Sequence, residues 1–254
     1  MMAKRATAEQ IKNPSGERID FVVEGNPHAT VTVVFVHGFG TNKDEGFNLF
    51  VDLAKPLSEN YRIVRFDFSG YGKSEGKQED VNLLKHAGDL KAVLDYTRAT
   101  YGGEIYILAF SMGCSVVSTL SPDDVKKTFY VSPPSTDTET SIQNLKNRIL
   151  SRPGGTVDED GVSVYPRTGG QVQKLGPSYW RVLRGFDPIA AITKYSKKTE
   201  LKIIRPIEDD VVVGNVTAPY RSVPNLEYVE LHGNHGFTTP ADRQALIQEL
   251  VRSL

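Results

Sequence analysis

Cysteine is almost missing from this chain of 254 residues: Cys114 stands alone, so no internal disulfide can form. That pattern suits a reducing compartment, and a cytoplasmic location is the expectation. Long apolar runs are missing too. None approaches the roughly 20 residues a helix needs to span a bilayer. The N-terminus, MMAKRATAEQ, has basic residues with no apolar segment behind them, so no secretory signal and no membrane partner are expected. Nor is there an excess of charge: 30 Lys and Arg face 31 Asp and Glu, for a formal net charge of −1. This removes the electrostatic footprint of a nucleic-acid binder. The five histidines lack a ligand spacing and one cysteine cannot build a thiolate cluster, so no metal and no cofactor are expected. Repeats and low-complexity tracts are likewise absent.

What is present is an ordinary globular composition, 39% hydrophobic and 24% charged. The length suits one domain over residues 1–254 with a single main core. Residues 31–36 (VTVVFV) form a β-branched run of the kind found in strands buried on both faces. Further strands are expected at 17–25, 61–66, 104–108, 125–131, 199–205 and 226–231. Helical patterns separate them. Over 80–100, Leu83, Ala87, Leu90 and Leu94 share one face, with Asp80 as N-cap and Gly102-Gly103 as the stop. Other helices are expected at 46–58, 112–120 and 239–253. Strands alternating with helices imply a mostly parallel, doubly wound α/β sheet.

The alternation fails between Pro133 and about Pro188. So long a connection inside one domain is uncommon and tends to carry function, so a lid inserted at about 134–188 is expected. Short helices at 141–150 and 177–186, with a hairpin near 156–166, would build it.

Residues 104–115 read EIYILAFSMGCS, a strand running into Ala109-Phe110-Ser111-Met112-Gly113 and then a helix. This is a variant of G-x-S-x-G, the sharp elbow that lifts a serine above the edge of a sheet. Small residues two before and two after the serine keep its turn free of clashes, and Ala109 departs from glycine by one methyl. Ser111 is thereby placed at a helix N-terminus, where amides and dipole favour negative charge. It is the candidate nucleophile.

A tetrahedral acyl intermediate needs two N–H donors aimed at its oxygen. One would be the Met112 amide. The other would come from His37-Gly38-Phe39-Gly40 after the 31–36 strand, at Phe39. His37 itself is read as a structural residue bonded to loop backbone. A serine also needs a base. His28 lies in a polar loop and His86 in a helix; His232 abuts the last strand. His235, in Gly233-Asn234-His235-Gly236, sits in a loop able to bend over the sheet edge, and is the choice. Its carboxylate partner would come from Glu208-Asp209-Asp210, with Asp209 first and Asp210 second; Asp137 is a more distant alternative.

With these residues placed, HGFG, DFSGYGKSEG (67–76), AFSMG, EDDVV and GNHGF resemble the α/β-hydrolase superfamily in order and spacing. The chain is most similar to bacterial cinnamoyl/feruloyl esterases and serine aminopeptidase-like hydrolases, which carry a lid at the same point in the fold. The resemblance implies an α/β-hydrolase fold with Ser111 as nucleophile, His235 as base, Asp209 as acid, and backbone donors at Phe39 and Met112. Asp67 to Gly76 resembles the D-x-R-G-x-G-x-S turn of that group, with Ser69 where arginine is usual.

The expected activity is hydrolysis of a small-molecule carboxylic ester through an acyl-enzyme. Tyr165, Tyr179 and Trp180 are candidates to line an aromatic-acid pocket. An aminopeptidase-like amide hydrolase is the rival, with Asp158, Glu159 or Asp160 available for a free amine. Thioesterase and acyltransferase chemistry on the same fold, or a non-enzymatic sensor, are further alternatives. Oligomeric state is open, a homodimer being one option.

Overall fold

Continuous apolar strands build the centre of the molecule. The computed structural model describes residues 10–134, 137–167, 170–213 and 218–254. The N-terminal residues 1–9, on which the reading of no secretory signal rests, lie outside them. In chain order the elements are β1 (Ile11–Lys12), β2 (Arg18–Ile19), β3 (Phe21–Gly25), β4 (Val31–Val36), α1 (Leu49–Leu57), β5 (Arg62–Phe66), α2 (Leu83–Tyr101), β6 (Glu104–Phe110), α3 (Met112–Leu120) and β7 (Lys127–Val131). Then follow α4 (Thr138–Leu150), β8 (Ser163–Pro166), β9 (Val172–Leu175), α5 (Pro177–Arg184), α6 (Pro188–Tyr195), β10 (Glu200–Pro206), β11 (Leu226–Leu231) and α7 (Pro240–Ser253).

Seven strands form the main sheet in the order β11-β10-β7-β6-β4-β5-β3. All neighbours are parallel except β3 and β5. The pleat divides each strand between two cores. Val33 and Phe35 of β4 point to the layer of α1 and α7, where Leu53 and Leu246 meet them. Val34 and Val36 point to the layer of α2, α3 and α6, with Leu90, Val117 and Ile192. Each such side chain taken from water contributes about 1.5–3 kcal/mol, which is why an unbroken apolar run belongs here.

Several boundaries differ from those the sequence suggests. The stretch 17–25 splits at Asp20, whose amide donates to Ser74 Oγ at 2.8 Å and whose carboxylate pairs with Lys43. Helix α2 starts at Leu83, because Asn82 accepts from the Leu84 and Lys85 amides; Asp80 lies in a preceding short turn. Gly102 ends α2 with φ +62°, as its lack of a side chain permits. The stretch 46–58 divides into a turn at Gly46–Asn48 and α1, since Phe47 and Asn48 take left-handed conformations. Thr239 caps α7 by accepting from the Asp242 amide.

Between β7 and β10 the chain leaves the sheet. Helices α4 and α5 and the β8–β9 hairpin share a small core of their own, with Ile142, Ile149, Leu175 and Trp180. A hairpin is expected near 156–166; the strands instead pair Ser163–Pro166 with Val172–Leu175. Asp158 explains this: it accepts from the amides of Asp160 and Gly161, curling that stretch into a turn, so only Thr156 bridges to Val164. Helix α6 lies beyond the short helices expected of the excursion. It returns to the sheet, burying Ile192 and Tyr195. Gln173 Nε2 donates to the Tyr71 hydroxyl at 2.6 Å, tying the hairpin to the body. No helix among the described residues is long and apolar enough to cross a membrane.

Candidate active site

The site begins where β6 ends. Ser111 has φ +52° and ψ −121°, a conformation that costs a non-glycine residue about 1–3 kcal/mol. It is held there by its amide, which donates to the Val131 carbonyl at 2.9 Å, and by its own carbonyl, which accepts from Cys114 at 3.0 Å. The turn leaves Ser111 at the N-terminal end of α3 with its hydroxyl turned to the sheet's edge.

His235 reaches it from the loop after β11. Its Nε2 lies 3.0 Å from Ser111 Oγ. Its Nδ1 lies 3.0 and 3.1 Å from the two carboxylate oxygens of Asp209. With the proton on Nδ1 donated to Asp209, Nε2 is free to accept from the serine hydroxyl. The loop is fixed at both ends of the histidine: Ser132 Oγ donates to its carbonyl at 2.8 Å, and its amide donates to Asp210 at 3.2 Å. Phe110 packs beside the ring, 5.2 Å between centroids.

Asp209 is almost wholly enclosed, its side chain 1% exposed. Burial pushes its carboxyl upward, but the bond and charge of His235 and the Val212 and Val211 amides prevail, and the net shift is downward. Asp210 Oδ1 accepts from the His235 backbone amide and, among the described residues, does not reach the ring. Asp137 caps α4 by accepting from the Thr140 amide.

The remaining histidines are elsewhere. His37 is buried; its Nδ1 donates to the Gly38 carbonyl at 2.9 Å and its Nε2 accepts from the Phe68 amide at 3.0 Å. It shapes the loop that carries Phe39. His232 pairs with Glu208 at the surface, and His28 is exposed. Neither the Phe39 nor the Met112 amide donates to a protein acceptor among the described residues.

Ser111, His235, Phe39 and Met112 open into one cavity of about 900 Å³, roofed largely by the β7–β10 excursion. Tyr165 and Tyr179 line it. Trp180 does not: it is 1% exposed within the excursion's own core, its Nε1 donating to Ser163 Oγ at 3.1 Å. On α5, Trp180 follows Tyr179 and so points about a quarter-turn away. No group of His, Cys, Asp and Glu suited to a metal occurs among the described residues.

A sequence profile described as the alpha/beta hydrolase fold matches residues 31–202, more than half of the chain. The chain belongs to the α/β-hydrolase fold family. An acetyltransferase component of the acetoin cleaving system of Cupriavidus necator (dihydrolipoyllysine-residue type) is 29% identical over 128 residues, covering 50% of this chain and 32% of that protein. The probable oxidoreductase EphD of Mycobacterium tuberculosis is 33% identical over 115 residues, 44% of this chain and 18% of that protein. The match thus spans a third or less of these relatives. Among solved structures, Est1E from Butyrivibrio proteoclasticus with ferulic acid bound has a TM-score of 0.76 at 22% identity, over 96% of this chain and 98% of that one. An esterase domain from Rhodothermus marinus has a TM-score of 0.71 at 19% identity, over 95% and 94%. At these identities the likeness is one of fold.

Within this α/β-hydrolase fold some site residues escape a reading of motifs. Glu45 is buried beneath the Phe39 loop, accepting from the Gly38 amide at 2.5 Å and from Thr41 Oγ1 at 3.0 Å. No local pattern marks it. Ser132 is equally unmarked, though it anchors the His235 loop. The Asp67 turn is legible: Asp67 accepts from the Lys43 and Lys73 amides, and Ser69, in the arginine position, donates to the buried Asp89 at 2.8 Å.

Proposed function

We propose that this protein is a serine carboxylic-ester hydrolase whose triad is Ser111, His235 and Asp209. One observation carries the reading: an unbroken hydrogen-bonded chain from hydroxyl through imidazole to buried carboxylate, opening on a large cavity. Ser111 Oγ attacks the acyl carbon as His235 Nε2 takes its proton. The oxyanion is received by the Phe39 and Met112 amides. His235 then protonates the leaving alcohol, and water attacks the acyl-enzyme by the same route in reverse. Asp209 holds the tautomer and balances the imidazolium charge.

The excursion at about 134–188 acts as the lid, and Tyr165 and Tyr179 supply aromatic walls for the acyl group. The esterase titles of the structural neighbours are in keeping with this, at the level of fold. The aminopeptidase-like rival needs an acid in the lid facing the cavity. Glu159 is instead paired with Lys146 and Arg184, and Asp158 with its own turn.

Ser111→Ala should reduce hydrolysis of 4-nitrophenyl butyrate to the background rate. It should also abolish covalent labelling by a fluorophosphonate probe. Retention of either activity in the folded variant would remove Ser111 from the mechanism.

A further inference from the structure

Two arginines of the excursion face the cavity without an acidic partner. Arg148 comes from α4 and Arg167 follows β8; Arg152 adds a third cation at the exposed margin. Among the described residues none of the three forms a salt bridge. This is not general to the excursion, where Lys146 and Arg184 share Glu159.

Each guanidinium is held in place but left short of acceptors. Arg148 Nη1 donates to the Val211 carbonyl at 3.2 Å, two residues beyond Asp209. Its Nε is buried with no acceptor among the described residues. A buried donor of a charged group without an acceptor is costly, by more than for a neutral one, so an anion placed against it would be favoured. Arg167 lies over the Tyr165 ring at 4.9 Å and near the Phe39 ring at 5.7 Å. Its Nη2 donates a long bond to the Phe39 carbonyl at 3.4 Å. A side chain on Gly40 would meet its Cζ at 3.3 Å, so glycine there leaves room for the guanidinium. It stands one residue from the amide assigned to the oxyanion.

The two also share a neighbour. Burial pushes the Tyr179 hydroxyl upward, while Arg148 and Arg167 both pull it down, which sets both charges in range of one cavity wall. The acids on the lining do not answer them. Glu45 is taken up by Gly38, Thr41 and Gly46, and Asp210 accepts from the His235 amide.

We infer that the cavity selects esters bearing a carboxylate of their own, received by Arg148 and Arg167. The inference rests on the esterase reading and adds the substrate class. Guanidinium is weakly hydrated and presents paired N–H donors that match a carboxylate, and its flat faces tolerate aromatic walls. A wholly apolar acyl chain would use neither arginine.

The test uses matched pairs. Methyl hexanoate against monomethyl adipate places the carboxylate on the acyl side; phenyl acetate against 4-acetoxybenzoate places it on the alcohol side. In one pair the anionic ester should show a kcat/KM at least about tenfold higher, and that pair identifies the side. Arg148→Gln and Arg167→Gln should each lower that ratio toward one. A preference for the neutral ester in both pairs, or a ratio unmoved in both variants, overturns the inference. Binding is read separately by calorimetry of both pairs in Ser111→Ala, where in at least one pair the anionic ester should bind about tenfold tighter than its neutral counterpart. Equal binding within both pairs also overturns it. Absence of turnover with that binding difference intact would instead strike the esterase reading alone.

Discussion

The carbonyl oxygen of Val36 lies 2.4 Å from where a side chain on Gly113 would begin, and that of His37 lies 2.7 Å away. Strand β4 and helix α3 therefore meet backbone to backbone, just where one ends in the Phe39 loop and the other starts beside Ser111. The approach sets the loop carrying Phe39 beside the turn carrying Met112, both of which line the cavity with Ser111. A methyl at 113 cannot be absorbed by a rotamer change, since the obstacle is main chain. Gly113→Ala should lower stability by about 3 kcal/mol, at the upper end for overpacking, seen as a reduced urea midpoint. It should lower kcat more than KM. Ala109→Gly, which restores the commoner elbow pattern, should instead cost only about 1–2 kcal/mol, through a lost buried methyl and a looser strand. Equal stability of Gly113→Ala and the parent would show that β4 and α3 can part without consequence.

The adjacent carboxylates Asp209 and Asp210 differ in what they hold. Asp209 faces the imidazole and two amides, whereas Asp210, among the described residues, accepts from the His235 backbone amide. Asp209→Asn should cut kcat for 4-nitrophenyl butyrate by about three to four orders of magnitude, because an amide cannot enforce the tautomer or balance the imidazolium. Asp210→Asn keeps an oxygen that can accept from the His235 amide, and should lose less than about tenfold. The downward shift of Asp209 also keeps its charge further into acid than an ordinary carboxyl. A reversed ranking of the two variants would move the acid to 210.

Much of this was readable from residue order, for physical reasons. β4 is legible because a strand buried on both faces has no polar alternation. The elbow is legible because backbone crowding at Gly113 restricts the residue type. Asp209 and His235 are legible because each follows a strand whose end lies at the same sheet edge. The hairpin of the excursion is not, because β8 and β9 are short and partly polar, and their register depends on the turn made by Asp158. Trp180 reads as a pocket residue only until the helix phase is known, since its neighbour Tyr179 takes the cavity side. Arg148 and Arg167 come to line one cavity only through the packing of α4 and the hairpin, which leaves no trace in local sequence.

His86 should contribute to the acid sensitivity of the fold. Its ring is wholly buried on α2, stacked on Phe68 at 4.4 Å, with Tyr71 at 5.6 Å. Burial lowers its pKa from 6.5 to about 3, and the nearby His37 and Lys85 push the same way. The Ser69 backbone slightly favours the charged ring, yet neither nitrogen has a well-formed partner among the described residues. Since the folded value lies below the unfolded one, the unfolded chain takes up a proton first. Stability is therefore full above about pH 6.5 and falls as the pH drops toward about 3, by roughly 1.4 kcal/mol per pH unit for one proton. His37, also depressed by burial, adds in the same direction. His86→Phe removes one of these protons. Urea titrations at pH 7, 6, 5 and 4 should give the variant a shallower decline than the parent, by about one proton in slope. Parallel curves would assign the acid sensitivity to other groups.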